Sequence, residues 1–423
     1  MLFFSYFLQY NRYCNVAGIF VVIGLAIMAS RKRSAINYRL MIQALLFEFA
    51  IAFCMLRTHI GQAIVASIAQ GINRIYQFAD QGSSFVFGNL TQVDMPWGFV
   101  FALKVLPIII FFGALMSLLF YIGVVQRCVS FVSYIVRPVL GTSGAETLCA
   151  IANSFLGQTE APLLIHNYLK NMTKSEILVV MVSGMGTISG AILAVFAAMG
   201  VPAVHLLTAS VMAIPGTIMI AKILYPETER AETASGATAY IESPATNAID
   251  AISMGTSDGL HLALNVGAML ISFLSLLAML NFMMDAASMG VNNLLYMAHS
   301  SWQIPLLNLN YIFSILFAPF GYLMGFTGTE ALSAGQLLGV KVTVNELIAY
   351  GEMIKMGVSE RFMTIVTYAL CGFANFSCIG IQIGGIGVLV PEKRSWLSEL
   401  GLLAVLGASL SNLLSAMIAG LLL

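Results

Sequence analysis

Apolar runs of roughly membrane-crossing length recur from one end of this 423-residue chain to the other, separated by short polar turns. A helical span needs about 20 residues, and runs of that order lie at 15–30, 40–56, 98–123, 177–200, 204–222, 262–283, 363–388 and 399–423. The pattern predicts eight transmembrane helices. Residues 58–80 obey a different rule: Ile60, Ile64, Ile68, Ile72 and Ile75 recur at spacings of three and four. That is an amphipathic helix, lying at a membrane interface, against another subunit or within the domain. The long polar stretch 225–258 splits the chain in two and reads as a cytoplasmic linker with a short helix near its end.

Charge supplies the direction of the spans. Arg31, Lys32, Arg33 and Arg39 come after the first run, Arg127 and Arg137 after the third, and Lys393 and Arg394 precede the last; the positive-inside bias places all three clusters in the cytoplasm. With the N-terminus outside, they share a side only if 144–172 enters and leaves from the cytoplasmic face and 284–360 makes no net crossing. The segment around Glu160 is then a re-entrant hairpin from the inside, and that around Glu346 a hairpin from the outside. Lys341, Lys355 and Arg361 near the outer hairpin run against the charge bias. The expected fold class is an all-α polytopic membrane protein: eight transmembrane helices plus two opposed re-entrant hairpins in an inverted repeat, with interfacial helices. The whole chain, 1–423, forms one domain, divided into a scaffold with the first three spans (1–143), the first hairpin with spans four and five (144–224), the linker (225–258), span six with an outer loop (259–302) and the second hairpin with the last two spans (303–423).

Composition agrees with that solvent. Hydrophobic residues make up 59% and charged residues 9%, with a mean hydropathy of +0.91 and net charge +0; soluble domains carry about 25% charged residues. Nothing in this balance favours a nucleic acid. The six cysteines lack metal-ligand spacing and read as packing residues. The first run lacks a small-residue cleavage pattern and ends in Arg31-Lys32-Arg33, so it reads as a retained span.

Against so apolar a background, two acidic residues stand out: Glu160 in LCAIANSFLGQTEAPLLI and Glu346 in LLGVKVTVNELIAY. A carboxylate at bilayer depth costs about 2.5–3.5 kcal/mol on insertion scales, so it is retained where it faces a wet cavity or a ligand. The segments downstream of the two share one order. A Glu with a neighbouring amide leads to an apolar half-helix, then Ser-Glu at a helix start, then a hydrophobic run broken by glycine and small polar residues. The breaks are GMGTISG, with Thr187 27 residues after Glu160, and CGFANFSC, with Asn375 29 residues after Glu346. Opposed hairpins and broken helices meeting near the midplane are the pattern of an inverted-repeat transporter, and a broken helix is tolerated there only where its unpaired backbone lines a cavity. Asn153, Gln158, Thr159, Glu160, Asn345, Glu346 and Asn375 would converge on such a site. This set is rich in donors and acceptors and lacks arginine, which suits a neutral polyhydroxylated or amide-bearing solute with a small cation. Glu48, Lys104 and Asp285 read as interfacial or packing charges, His166, His205 and His261 as residues of span or hairpin ends, and Trp97 and Trp302 as interface anchors.

GQTEAPLL (Gly157 to Leu164), the run G-x-K-x-x-x-N-E-L-I-A-Y (Gly339 to Tyr350) and CGFAN (Cys371 to Asn375) resemble, in the same order, the signatures of the concentrative nucleoside transporter family. The resemblance covers essentially the full length and implies a multi-pass homotrimer in the lipid of a bacterial inner membrane, importing nucleosides by an elevator motion. It implies that Gln158, Thr159 and Glu160 contact the base with Phe373 beside it, and that Glu346 and Asn375 take the ribose hydroxyls. It further implies that Asn153, the Leu156 carbonyl, Thr187 and Ile188 cradle a sodium ion, with no organic cofactor. Cys378 stands where the family commonly has a serine near the ribose. GQTEAP, in place of the GQSE type of proton-coupled relatives, favours sodium over a proton as coupling ion. The competing readings are a proton-coupled symporter, an intramembrane enzyme using the two carboxyls as acid and base, and a passive pore; the enzyme lacks an evident nucleophile or metal set.

Overall fold

The computed structural model describes residues 6–92, 95–96, 98, 100–237, 245–298 and 302–423; Trp97 lies outside these. In a low-dielectric layer the free N–H groups of each helix start must find partners within the protein, and short polar side chains before the helices supply them. The order is α1 (Arg12–Met28), α2 (Tyr38–Arg57), α3 (His59–Phe87), α4 (Phe101–Lys104), α5 (Leu106–Tyr121), α6 (Val124–Leu140), α7 (Gly144–Asn153) and α8 (His166–Leu169). Next come α9 (Lys174–Gly186), α10 (Gly190–Ala198), α11 (Ala203–Leu224), α12 (Ala248–Met297) and α13 (Leu309–Leu323). The chain ends with α14 (Gly328–Thr343), α15 (Glu346–Lys355), α16 (Glu360–Leu370), α17 (Phe376–Leu389) and α18 (Arg394–Leu422). Asn37, Thr58, Ser189, Asn345, Ser359 and Asn375 each accept a backbone N–H at a helix start, and Ser143 and Thr173 form reciprocal capping boxes with Glu146 and Glu176.

Among the described residues, seven segments are long and apolar enough to span a membrane: Tyr6–Met28, Tyr38–Arg57, Phe101–Tyr121, Lys174–Ala198, Ala203–Leu224, Ala248–Met297 and Pro391–Leu422. They correspond to seven of the eight expected runs. The eighth, 363–388, is divided between α16 and α17 by a break after Leu370, which leaves halves of 11 and 14 residues. The sixth differs most. The run at 262–283 is the middle of α12, a single 50-residue helix, and the short helix foreseen near the end of 225–258 is its beginning. Around Glu160 the chain forms α7, an irregular turn, a 3-10 stretch Ala161–Ile165 and α8; around Glu346 it forms α14, a two-residue turn and α15. Both are helical hairpins, and α13 meets α14 at a bend of 114°.

Burial separates a core from a frame. In α9–α10, α11 and α18 the most apolar stretch is 83%, 78% and 78% buried, against 6% in α12. The long helix packs mainly on α5, where a Cβ at Gly113 would lie 2.5 Å from the Gly255 carbonyl and one at Gly259 only 2.8 Å from Ile110 Cα, and Asn281, Ser288 and Asn292 on it bond the backbone of Leu309, Leu307 and Ile304. Small residues four apart let two helices approach to backbone contact in a membrane. In α3, Ile60, Ile64 and Ile68 are exposed, whereas Ile72 and Ile75 pack inward; the isoleucine stripe is therefore only half covered by its own chain. The base of the first hairpin is pinned by Lys222, 2.8 Å from Glu146 Oε2 and 3.2 Å from Glu227 Oε2.

Of the charges read as packing or interfacial, Lys104 pairs with Asp80, and Glu48 is wholly buried rather than interfacial. His205 meets the Tyr368 hydroxyl at 3.2 Å, and Trp302 is exposed.

Candidate functional site

The two breaks expected in GMGTISG and CGFANFSC are present, one between α9 and α10 and the other between α16 and α17. Each restarts on a side-chain cap: Ser189 accepts from Ile192 N, and Asn375 from Cys378 N. These caps lie 29 residues beyond Glu160 and Glu346 respectively, so the internal repeat is kept in structure to the residue. Thr187, the expected position of the first break, falls two residues before its cap, at the end of α9.

Each hairpin tip meets a break. At the second, Asn375 Nδ2 donates to Glu346 Oε2 at 3.1 Å, while Asn375 Oδ1 accepts from Cys378 N at 3.0 Å and Ser377 Oγ at 2.7 Å. The oxygen of this amide is occupied, so its orientation is fixed. Glu346 is 6% exposed. At the first, the Phe155 carbonyl accepts from Gly190 N at 3.0 Å, joining the tip to the start of α10. Asn153 Nδ2 donates to Ser183 Oγ at 2.9 Å, and Thr187 Oγ1 donates to the Ser183 carbonyl at 2.8 Å. Asn153 Oδ1 is buried and has no partner, and Leu156 and Ile188 are buried as well.

The halves also meet each other. Gln158 Nε2 donates to Cys378 Sγ at 3.3 Å, and Gln158 Oε1 accepts from Gln382 Nε2 at 3.1 Å. Thr159 lies against α17, where a Cβ at Gly385 would come 2.9 Å from its methyl. Glu160 is exposed and turns back over Gly157, whose φ of +150° and lack of a Cβ admit the carboxylate; a Cβ there would sit 2.5 Å from Oε2. Phe373 is half-buried within the second break. Of the residues expected to converge or implied by the resemblance, Gln158 is joined by a hydrogen bond to Cys378 and Glu346 to Asn375, Asn153 and Thr187 are joined through Ser183, and Asn345 caps α15.

Three residues that the sequence alone does not assign hold this arrangement. Asn412 of α18 donates to the Gly186 carbonyl at 2.8 Å and to the Cys371 carbonyl at 3.0 Å, the last carbonyl of one broken helix and the first of the other gap. Lys341 of α14 donates to Asn412 Oδ1 and to the Ala369 carbonyl, each at 2.7 Å, placing a cation at the C-terminal end of α16. Gln382 donates to Gln158 and to the Met181 carbonyl at 3.0 Å. Isolated polar residues in apolar runs are the signal that singles out Glu160, and it applies equally to Gln382 and Asn412.

A Cβ at Gly372 would lie 2.5 Å from Asn412 Oδ1 and 2.9 Å from the Gly186 carbonyl. Overpacking at such a place costs about 1–3 kcal/mol. Gly372→Ala is expected to lower the initial rate of substrate uptake about tenfold or more while the purified protein remains monodisperse; wild-type uptake would show that the breaks are not held at this spacing.

Comparison with known proteins agrees with this architecture. Residues 205–420 match the family model "Na+ dependent nucleoside transporter C-terminus", 17–90 its N-terminal counterpart and 102–203 a "Nucleoside recognition" model. The chain is 39% identical to the nucleoside permease NupC of Helicobacter pylori over 96% of its length and 97% of that protein. It is 35% identical to sodium/nucleoside cotransporter 1 of Rattus norvegicus, over 96% of its length and 63% of that protein. Among solved structures, it is similar to CNTnw in an inward-facing substrate-bound state, with TM-score 0.89, 38% identity and coverage of 97% and 98% of the two chains. A CNTnw variant in an outward-facing state matches at TM-score 0.88 and 37% identity, over 97% of each chain.

Proposed function

Because the chain belongs to the concentrative nucleoside transporter family, a multi-pass transporter family rather than one of enzymes, we propose that it imports nucleosides by symport with sodium. The observation that carries the coupling is the unpartnered Asn153 Oδ1, buried between the first hairpin tip and the end of α9. With the Leu156 carbonyl, Thr187 and the Ile188 backbone it offers the oxygen ligands that a hard cation takes. An ion held there would tie the tip to the break, favouring the state whose base contacts, Gln158, Thr159 and Glu160, are in place; coupling is then a difference in affinity between states. Phe373 packs beside the base. Glu346 and Asn375 take the ribose hydroxyls, since a carboxylate accepts from a diol and the amide Nδ2 donates. Cys378, which accepts from Gln158, contributes less to the sugar than a hydroxyl does.

The contrast between a buried bundle and an exposed long α12 supports an elevator motion of the hairpin-bearing bundle along a fixed frame. The same exposed apolar face and the uncovered isoleucines of α3 support a homotrimer, which we place in a bacterial inner membrane.

Uptake of radiolabelled uridine into proteoliposomes tests the reading, with an inward sodium gradient against choline at fixed pH and a proton gradient applied separately. Accumulation with sodium is expected; accumulation with protons alone would overturn sodium coupling, and none under either gradient would overturn nucleoside symport. Asn153→Ala should raise the sodium concentration for half-maximal uptake about tenfold or more, in line with a lost charge-assisted contact of roughly 1.5–3 kcal/mol. An unchanged sodium dependence would remove Asn153 from the ion site.

A further inference from the structure

Glu48 lies one layer beneath the site, on α2 where it packs against α11 and α18, and is 0% exposed. Its Oε1 accepts from Ser415 Oγ at 2.7 Å, whereas its Oε2 has no partner. The hydroxyl of Ser411, also 0% exposed, has none either. Both atoms flank the bare face of Gly216: a Cβ built there would lie 2.8 Å from Glu48 Oε2 and 2.8 Å from Ser411 Oγ. Two oxygens, from α2 and α18, thus face a place on α11 where glycine keeps space open.

No positive group of the described residues neutralises this carboxyl. On the helices packed against α2, His205 is engaged with Tyr368, Lys222 with Glu146 and Glu227, Asp80 with Lys104, Glu399 with Lys174, and Arg137 with the Ala234 carbonyl. Arg39 and Arg57 on α2 itself, and His59, Arg74, Arg127 and Arg394 on its neighbours, are exposed at helix ends or on outer faces. A buried carboxyl is kept only with a compensating charge or ligand, and a single carboxyl calls for a single positive charge.

We propose that Glu48 Oε2, with Ser411 Oγ, forms a second monovalent-cation site, occupied by sodium or by a proton. This inference rests on the symporter reading. The site adjoins the first through two neighbours: Ser411 precedes Asn412, which bonds both breaks, and Gly216 precedes Thr217, whose methyl would be 2.3 Å from a Cβ at Gly186. Its occupant is therefore coupled to the breaks that receive the nucleoside, in the sense that each affects the affinity for the other.

The test is the charge moved per nucleoside, read from the reversal potential of uridine-driven flux in proteoliposomes. Two positive charges per uridine are expected for the wild type and one for Glu48→Gln; equal values would overturn the proposal. Radioactive sodium bound by the purified protein, and the protonated-carboxyl stretch in its infrared spectrum, identify the occupant. A sodium stoichiometry that falls from two to one in Glu48→Gln assigns sodium, a carboxyl band that changes on uridine binding and is lost in that variant assigns the proton, and neither change overturns the site. These two measurements need no transport, so a protein that moves no uridine would refute the symporter and leave the site still decidable. Should Glu48→Gln fail to fold, Ser411→Ala provides the check: weakening of the second sodium alone by several-fold, or a shifted carboxyl band, is expected, and the absence of both overturns the geometry.

Discussion

Glu346→Gln should abolish concentrative nucleoside uptake. The carboxylate is buried at the second hairpin tip, where Asn375 Nδ2 donates to one of its oxygens. Under the proposed assignment both ribose hydroxyls are donors to this corner, and a hydrogen bond to a charged acceptor is worth about 1.5–3 kcal/mol. Glutamine keeps the shape but replaces one acceptor oxygen by a donor, which confronts both the diol and the Asn375 Nδ2. Loss of one such bond predicts roughly a 10- to 100-fold weaker affinity, and loss of two takes uptake below detection. Uridine binding by calorimetry on the purified variant separates this from misfolding: undetectable binding with an unchanged elution profile is expected. Wild-type affinity in Glu346→Gln would end the ribose assignment.

Lys341→Met should lower the melting temperature of the purified protein by several degrees and remove uptake with it. The ammonium satisfies two buried acceptors, Ala369 O and Asn412 Oδ1. Leaving a buried acceptor unpaired costs about 1–3 kcal/mol, and part of the sum returns because an ammonium no longer has to be desolvated; a net loss of roughly 2–4 kcal/mol remains. Asn412 is then free to turn, and with it the grip on both broken helices loosens. A variant melting at the wild-type temperature would mean that the breaks are held by packing alone.

Much of this is legible in the chain. Hydrophobic run length locates seven spans, because crossing a bilayer imposes a minimum length that is visible in one dimension. Charge parity, together with glycine and small polar residues at repeated positions, points to both hairpins and both breaks. The extent of α12 is less visible, because residues 248–261 carry polar side chains and a helix continuing past the apolar layer leaves no hydropathy signal. Residues that bind the repeats together escape for another reason. Lys341 resembles a misplaced topogenic charge in one dimension, and its role depends on carbonyls released by a break 28 residues away. Glu48 resembles an interfacial charge, since nothing in LLFEFAIAF reveals that α11 and α18 close over it.

The double grip of Asn412 also bears on how this chain can change. Loops that join the hairpins to their neighbours can lengthen without moving either break. A single residue inserted into α9 or α16, by contrast, rotates one of the two carbonyls about a third of a turn away from the amide, and no change confined to the other repeat restores it. The two copies of the internal duplication are consequently free to diverge in side chains but not in length.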